Sequence, residues 1–215
     1  MNKYVVQDYI LLIMNCEKYR EKALKQKETW LPQLPSHIIY FHVIGDPTMK
    51  VPFLFDLIER VLYVNTEDDY NSLPKKVISA YDAVYKTYQF KYIFKTDDDQ
   101  HLLNTQFFNI LTNLLEDSNQ RVHYGGKIMD VNIPYLCGYH KIHPELPENL
   151  IIQATQYCNG RFYLLSHDSI MYLTTKKDKI QREYIEDYAI GYYLPPFLKR
   201  IILKINTDKH FVDFE

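Results

Sequence analysis

The chain is predicted to be an α/β protein with a mainly parallel central sheet flanked by helices. Three observations predict this. Apolar, strand-like runs alternate with helix-periodic segments from Asp8 to Leu115. The first strand run is continuously apolar, as in strands covered on both faces. The run Lys91–Lys95 opens almost at once into Asp97, Asp98 and Asp99. That places an acidic cluster at the carboxyl end of a strand, where open α/β sheets hold their ligands.

Taken in order, Asp8–Met14 is the first predicted strand, continuously apolar after Asp8 and ended by Asn15 and Cys16. Glu17–Trp30 sets Lys and Glu around Ala23 and Leu24, the composition of a surface helix. Glu17, Glu21 and Lys25 fall at i,i+4 spacing along it. Pro32 and Pro35 break the chain. His37–Val43 is the second strand and Gly45-Asp46-Pro47 a turn. Arg60–Val64 is a short third strand, followed by the acidic loop Glu67–Tyr70. Ser72–Tyr88 carries Val77, Ala80, Tyr81, Val84, Tyr85 and Tyr88 at a helical period. Lys91–Lys95 is the next strand, and Asn104 is placed to cap a helix through Leu115. Arg121–Ile128 is a further strand. Met129–Tyr157 holds Pro134, Pro144 and Pro147 with little periodicity, and a loop of that length is often functional. Gly160–Leu165 is a strand, and Ser166 caps a short helix over Asp168–Leu173. The charged segment Lys176–Glu183 follows. Glu186-Asp187 opens an apolar helix, Tyr188–Leu194, stopped by Pro195-Pro196. Ile201–Leu203 is the last strand, and the tail carries His210.

At 215 residues and 47% hydrophobic, the chain is long enough for one domain with a real core. A formal net charge of −2 gives no support for a nucleic-acid partner. No run approaches the roughly eighteen apolar residues of a transmembrane helix, and Tyr9–Met14 is too short for a signal peptide. A soluble, cytoplasmic protein is therefore expected. Three cysteines without CxxC spacing argue against a zinc site and a disulfide framework. A single bridge between Cys137 and Cys158 stays open. Twenty tyrosines and eleven phenylalanines against six glycines supply rings that can fill a core or line a sugar site.

Three adjacent carboxylates repel one another unless a cation sits among them. A hard divalent cation with oxygen ligands resolves that cost and can also hold a diphosphate. A solvated acidic turn is the other reading of the same residues, and the local sequence leaves both standing.

Five motifs, in order, resemble the beta-1,3-galactosyltransferase and Fringe family of inverting glycosyltransferases. The first is Lys27-Glu28-Thr29-Trp30 at a helix end, with Lys where the family has Arg. The second is Asp68-Asp69-Tyr70-Asn71-Ser72-Leu73-Pro74-Lys75-Lys76. The third is Lys95-Thr96-Asp97-Asp98-Asp99. The fourth is Tyr157-Cys158-Asn159-Gly160-Arg161-Phe162, and the fifth is Glu186-Asp187-Tyr188-Ala189-Ile190-Gly191. Each is weak alone; their order and spacing carry the resemblance. The family's glycine triplet is reduced here to Gly160, followed by Arg161 and Phe162.

The resemblance implies a GT-A type nucleotide-diphospho-sugar transferase fold. It implies a single catalytic domain over 1–215, with a nucleotide-binding half to about residue 100 and an acceptor-binding half after it. It implies metal-dependent, inverting transfer of a hexose or N-acetylhexosamine from a UDP-sugar to a glycan, protein or lipid acceptor, of beta-1,3 type. Asp187 is then the catalytic base. Asp99, Asp97 and His210 ligate Mn2+ or Mg2+. Asp97, Asp98, Lys76, Asp68 and Lys27 surround the donor nucleotide. Tyr157, Asn159, Gly160, Arg161, Phe162 and Glu186 are expected around the substrate. Two other classes use parts of the same pattern: a metal-dependent sugar-nucleotide or phosphoryl transferase, and a non-catalytic glycan-binding protein on a decayed transferase fold.

Overall fold

A computed structural model describes residues 5–214. In chain order the elements are β1 (Val5–Val6), β2 (Tyr9–Met14), α1 (Arg20–Thr29), β3 (Ile38–Gly45), β4 (Phe53–Asp56) and β5 (Val61–Val64). They continue with α2 (Leu73–Thr87), β6 (Tyr88–Gln89), β7 (Tyr92–Asp97), β8 (Gln100–Leu102), α3 (Phe107–Asp117), β9 (Tyr124–Val131) and β10 (Tyr135–Leu136). The last are β11 (Ile151–Ile152), β12 (Thr155–Ser166), α4 (His167–Thr174), α5 (Lys177–Ile180), α6 (Glu186–Tyr193), β13 (Ile202–Lys204) and β14 (Phe211–Asp213). The main sheet has eight strands in the order β13-β9-β12-β7-β2-β3-β5-β4. Its centre, β7-β2-β3-β5, is parallel throughout. Strand β12 runs antiparallel to both β7 and β9, and β4 closes the far edge antiparallel to β5.

The unbroken apolar run of β2 has a simple cause. It is the middle strand of the parallel group, and alternate side chains enter two cores. Ile10, Leu12 and Met14 join the cluster formed with α2, α4 and α6. Tyr9, Leu11 and Ile13 join the other, with Trp30 and the Phe107 and Phe108 rings of α3. Period-2 geometry makes this obligatory. Fully burying one such side chain contributes about 1.5–3 kcal/mol. Trp30, at the end of α1, is almost fully buried and donates its indole N–H to the Gln100 carbonyl at 3.1 Å.

Some expectations shift. Residues Glu17–Tyr19 form a 3-10 turn, and the α-helix begins only at Arg20. Edge strand β4 was not expected. Asn104 accepts from the Gln106 backbone N–H at 2.9 Å, ahead of α3 and not from within its first turn. The strand expected from Arg121 starts at Tyr124 and runs on to Val131. The 129–157 segment includes a small antiparallel hairpin, β10 with β11, and a 3-10 turn at Tyr139–Lys141. Ser166 does cap α4, accepting from the Ser169 N–H. Cys137 and Cys158 are both free thiols. No helix among the described residues is long and apolar enough to cross a membrane.

His42 is an exception inside this core. It is fully buried in β3, and neither ring nitrogen has a hydrogen-bond partner among the described residues. Burial, assisted by the Lys27 charge, holds the imidazole down at about 3, against an ordinary 6.5. A depressed histidine favours folding above its unfolded pKa, and that stability is lost as pH falls toward the folded value. The loss runs at up to roughly 1.4 kcal/mol per pH unit. His42→Leu should therefore flatten the acid limb of stability between pH 6.5 and 4, read by urea unfolding. An unchanged acid limb would contradict this account of His42.

Candidate active site

A cleft of about 810 Å³ opens along the carboxyl ends of the central strands. The end of β2 supplies Asn15 and Cys16, and the loop before α2 supplies Asp68, Asp69 and Tyr70. The Asp97–Asp99 triplet comes from the end of β7. Tyr157, Asn159, Gly160 and Arg161 come from β12, and Glu186 and Asp187 from the first turn of α6. The 129–157 segment adds Tyr139, His143 and Glu145.

Lys95, a motif residue to which the sequence alone assigns no role, sits at the centre. Along β7 it falls two residues after Ile93, so it points into the same core as Tyr163 and Tyr81. Its side chain is 1% exposed. The ammonium meets Asp97 at 2.7 Å and Glu186 at 3.1 Å, and donates to the Gly160 carbonyl at 2.9 Å. Burial works against this cation, but the two facing carboxylates outweigh it and hold its pKa above the ordinary lysine value. Glu186 is completed on its other side by the Tyr163 hydroxyl, which meets the Tyr81 hydroxyl at 2.6 Å. Glu186 is thus the buried countercharge of Lys95, although it also borders the cleft.

Asp187, the next residue, faces the opening. Its two oxygens are fixed by backbone donors: Oδ1 accepts from Tyr188 N–H at 2.7 Å, and Oδ2 from Gly160 N–H at 2.8 Å. Burial pushes its carboxyl above the usual carboxylate range, against the pull of Lys95 and those two donors. The backbone of the single residue Gly160 therefore touches Asp187 through its N–H and Lys95 through its carbonyl. The close approach of α6 to β12 depends on Gly191. A Cβ there would lie 2.7 Å from Tyr157 Cα, and closer still to its Cβ.

The remaining predicted residues divide clearly. Asp98 faces Lys22 at 3.5 Å, and Asp99 accepts from Gln100 Nε2 at 2.7 Å. Asp68 and Lys76 border the cleft but are committed to holding it together. The Lys76 ammonium meets Asp68 at 2.8 Å and donates to the Asn15 carbonyl at 2.5 Å. Asp68 also accepts from the N–H groups of Gly45 and Glu17, at 2.9 and 2.7 Å. Arg161 lies along the cleft, but its guanidinium turns to the tail, to Asp213 at 2.8 Å and Asp208 at 3.4 Å.

Three predicted residues are not brought into the cleft. Phe162 is fully buried between Phe94, Phe107 and Phe211, because β12 alternation sends it to the opposite face from Tyr163. Lys27 donates to the Glu59 carbonyl at 2.7 Å. His210 packs its ring on Phe107, centroids 4.6 Å apart. Among the described residues, no group of three His, Cys, Asp or Glu side chains is clustered to hold a metal ion. The donor chemistry of the triplet nevertheless suits a hard divalent cation. Burial, with repulsion from neighbouring carboxylates, pushes Asp97 and Asp98 up to about 6 despite their lysine partners. A bound cation would remove that cost.

Comparison with known proteins agrees with this architecture. The family model described as galactosyltransferase matches residues 20–197. The chain belongs to the galactosyltransferase family, a class of glycosyltransferases, and its fold is of the GT-A type. A comparison with curated proteins found no match. Among solved structures, a glycosyltransferase involved in the glycosylation of the major capsid of PBCV-1 matches at 12% identity, TM-score 0.52, over 92% of this chain and 82% of that one. The glycosyltransferase GlyE of Streptococcus pneumoniae TIGR4 matches at 10% identity and TM-score 0.46. This match covers 95% of the present chain, which spans only 46% of GlyE. The galactosyltransferase LgtC, solved with donor and acceptor sugar analogs, matches at 10% identity and TM-score 0.46, over 92% of this chain and 73% of that one.

The Lys95 network makes a stability prediction. Lys95→Met leaves Asp97 and Glu186 without their cation and should cost about 3–5 kcal/mol in urea unfolding. Adding Glu186→Gln removes one stranded charge and should recover at least about 1 kcal/mol of that loss. Strict additivity of the two substitutions would contradict the coupling.

Proposed function

We propose that the chain is a metal-dependent inverting glycosyltransferase that moves a hexose or N-acetylhexosamine from a UDP-sugar to an acceptor hydroxyl. One observation carries the reading. A carboxylate with a raised pKa, Asp187, is fixed by two backbone N–H groups in the same cleft as the Asp97–Asp99 triplet. One end can take a proton, and the other can hold an anionic leaving group through a cation.

Asp97 and Asp99 are the residues that would hold a divalent cation, with Asp98 assisting. Oxygen donors favour Mn2+ or Mg2+. Bound there, the cation supplies charge neutralisation of the leaving diphosphate. His210 is left out of this donor set: it does not border the cleft, and among the described residues it forms no cluster with two other His, Cys, Asp or Glu side chains.

Asp187 accepts the proton of the acceptor hydroxyl as that oxygen attacks the anomeric carbon. The bond from that carbon to the diphosphate breaks, and UDP leaves. Attack from the opposite face converts an alpha-linked donor into a beta-linked product. Gly160 keeps the space beside the base open: a methyl added there would lie 3.5 Å from both Asp187 Oδ2 and Lys95 Nζ. The 1,3 linkage rests on the motif resemblance alone.

A UDP-release assay across a panel of UDP-sugars, with manganese and mixed acceptors, tests the activity. At least one donor should turn over, and EDTA should abolish turnover. Asp187→Asn should fold, retain UDP binding and lose about 10²–10⁴-fold in transfer. Wild-type turnover by that variant would remove Asp187 from the role. The base must be ionised and its pKa is raised, so activity should fall with decreasing pH above the ordinary aspartate value of about 4. His210→Ala should leave manganese affinity within about twofold, whereas Asp99→Ala should weaken it at least about tenfold, read by manganese titration.

A further inference from the structure

The acceptor half of the cleft has a charge pattern that selects its ligand. Eight carboxylates border the whole cleft against four basic side chains. Three of those four are already engaged: Lys76 with Asp68, Lys95 with Asp97 and Glu186, and Arg161 with Asp208 and Asp213. The fourth, Lys18, follows the end of β2 and lies over the Tyr19 ring, on the nucleotide side. Strand β7 separates β2 from β12, which carries Tyr157. No basic side chain among those bordering the acceptor half is therefore left to meet an anion. His143 does not change this: it stacks on Tyr70 at 4.2 Å and lies 3.6 Å from Glu145.

The surfaces that remain are rings. Tyr139 is 50% exposed, and Tyr157 is half-buried along the cleft. Both line the same cleft as Asp187, and both phenols are raised above the ordinary tyrosine value, first by burial and then by the Asp187 charge. An aromatic wall beside a carboxylate base suits the apolar face of a pyranose ring, with a hydroxyl turned to the base.

We infer that the acceptor is an uncharged pyranoside seated on Tyr139 and Tyr157, and that the cleft rejects acidic sugars. This rests on the glycosyl-transfer reading. A uronate would bring a carboxylate beside Asp187, which has backbone N–H partners but no cation in contact with it among the described residues, and like charges placed together in a partly desolvated site repel. A neutral hexose of the same shape meets no such penalty.

Binding rather than turnover is the direct test, so that it does not depend on finding the donor. Saturation-transfer NMR on the protein loaded with UDP and manganese would compare methyl hexosides with the matching methyl hexuronides. A neutral hexoside should bind at millimolar concentration, and the matching uronide at least tenfold more weakly. Tyr139→Ala should weaken the hexoside at least fivefold and leave UDP affinity unchanged. Tyr139→Arg, which supplies the missing cation, should narrow the hexoside preference at least fivefold. Equal or tighter uronide binding would overturn the inference, and so would absence of binding by any hexoside to the UDP-loaded protein. Failure of the glycosyl-transfer reading would show separately, as no UDP release in the donor panel.

Discussion

The active cleft depends on one buried cation. Lys95 has almost no exposed surface, and an unpaired ammonium there would cost several kcal/mol. It is tolerable only because three elements converge on it: Asp97 at the end of β7, the Gly160 carbonyl of β12, and Glu186 at the start of α6. Satisfying that charge fixes the mutual position of the acidic triplet and of Asp187. The hydroxyls of Tyr163 and Tyr81 extend the network into α2. The two ends of the cleft are thus coupled by electrostatics as well as by the backbone.

Around this centre the cleft divides into unlike halves. On one side, Asp68 and Lys76 clamp the ends of β2, β3 and α2 together, so those charges build the wall of the cleft. On the other, the 129–157 segment adds Tyr139, His143 and Glu145 to the cleft that holds Asp187. It is joined to the loop before α2 by the Tyr70–His143 stack and by Asn71 Nδ2 donating to the Glu145 carbonyl at 3.0 Å. Carboxylates outnumber basic groups, so on the proposed reading an anionic donor needs a cation to enter. A neutral acceptor needs none.

Much of the fold was legible in the sequence because its signals are local. The continuous run of β2, the helical period of α2 and the acidic end of β7 each state their environment. The motif pairs that meet in the cleft, Asp97–Asp99 with Glu186-Asp187, were readable only as a pattern. What was missed is tertiary. Lys95 stands in the third motif without a role of its own, although its spacing from Ile93 already points it inward. Phe162 stood in a motif position, but strand alternation turned it into the core. Lys27 and His210 carried suitable chemistry, yet Glu59 and Phe107 take them up elsewhere. Gly191 was read as a motif residue; its reason is the contact of α6 with Tyr157, which a Cβ would prevent.

The central claim is that the triplet forms the cation-dependent diphosphate end of this cleft. Calorimetric titration of the wild-type protein with UDP, with and without manganese, tests it most directly. Binding that appears with manganese and vanishes in EDTA is the predicted result. UDP binding of equal strength in EDTA, or no binding in either condition, would contradict it.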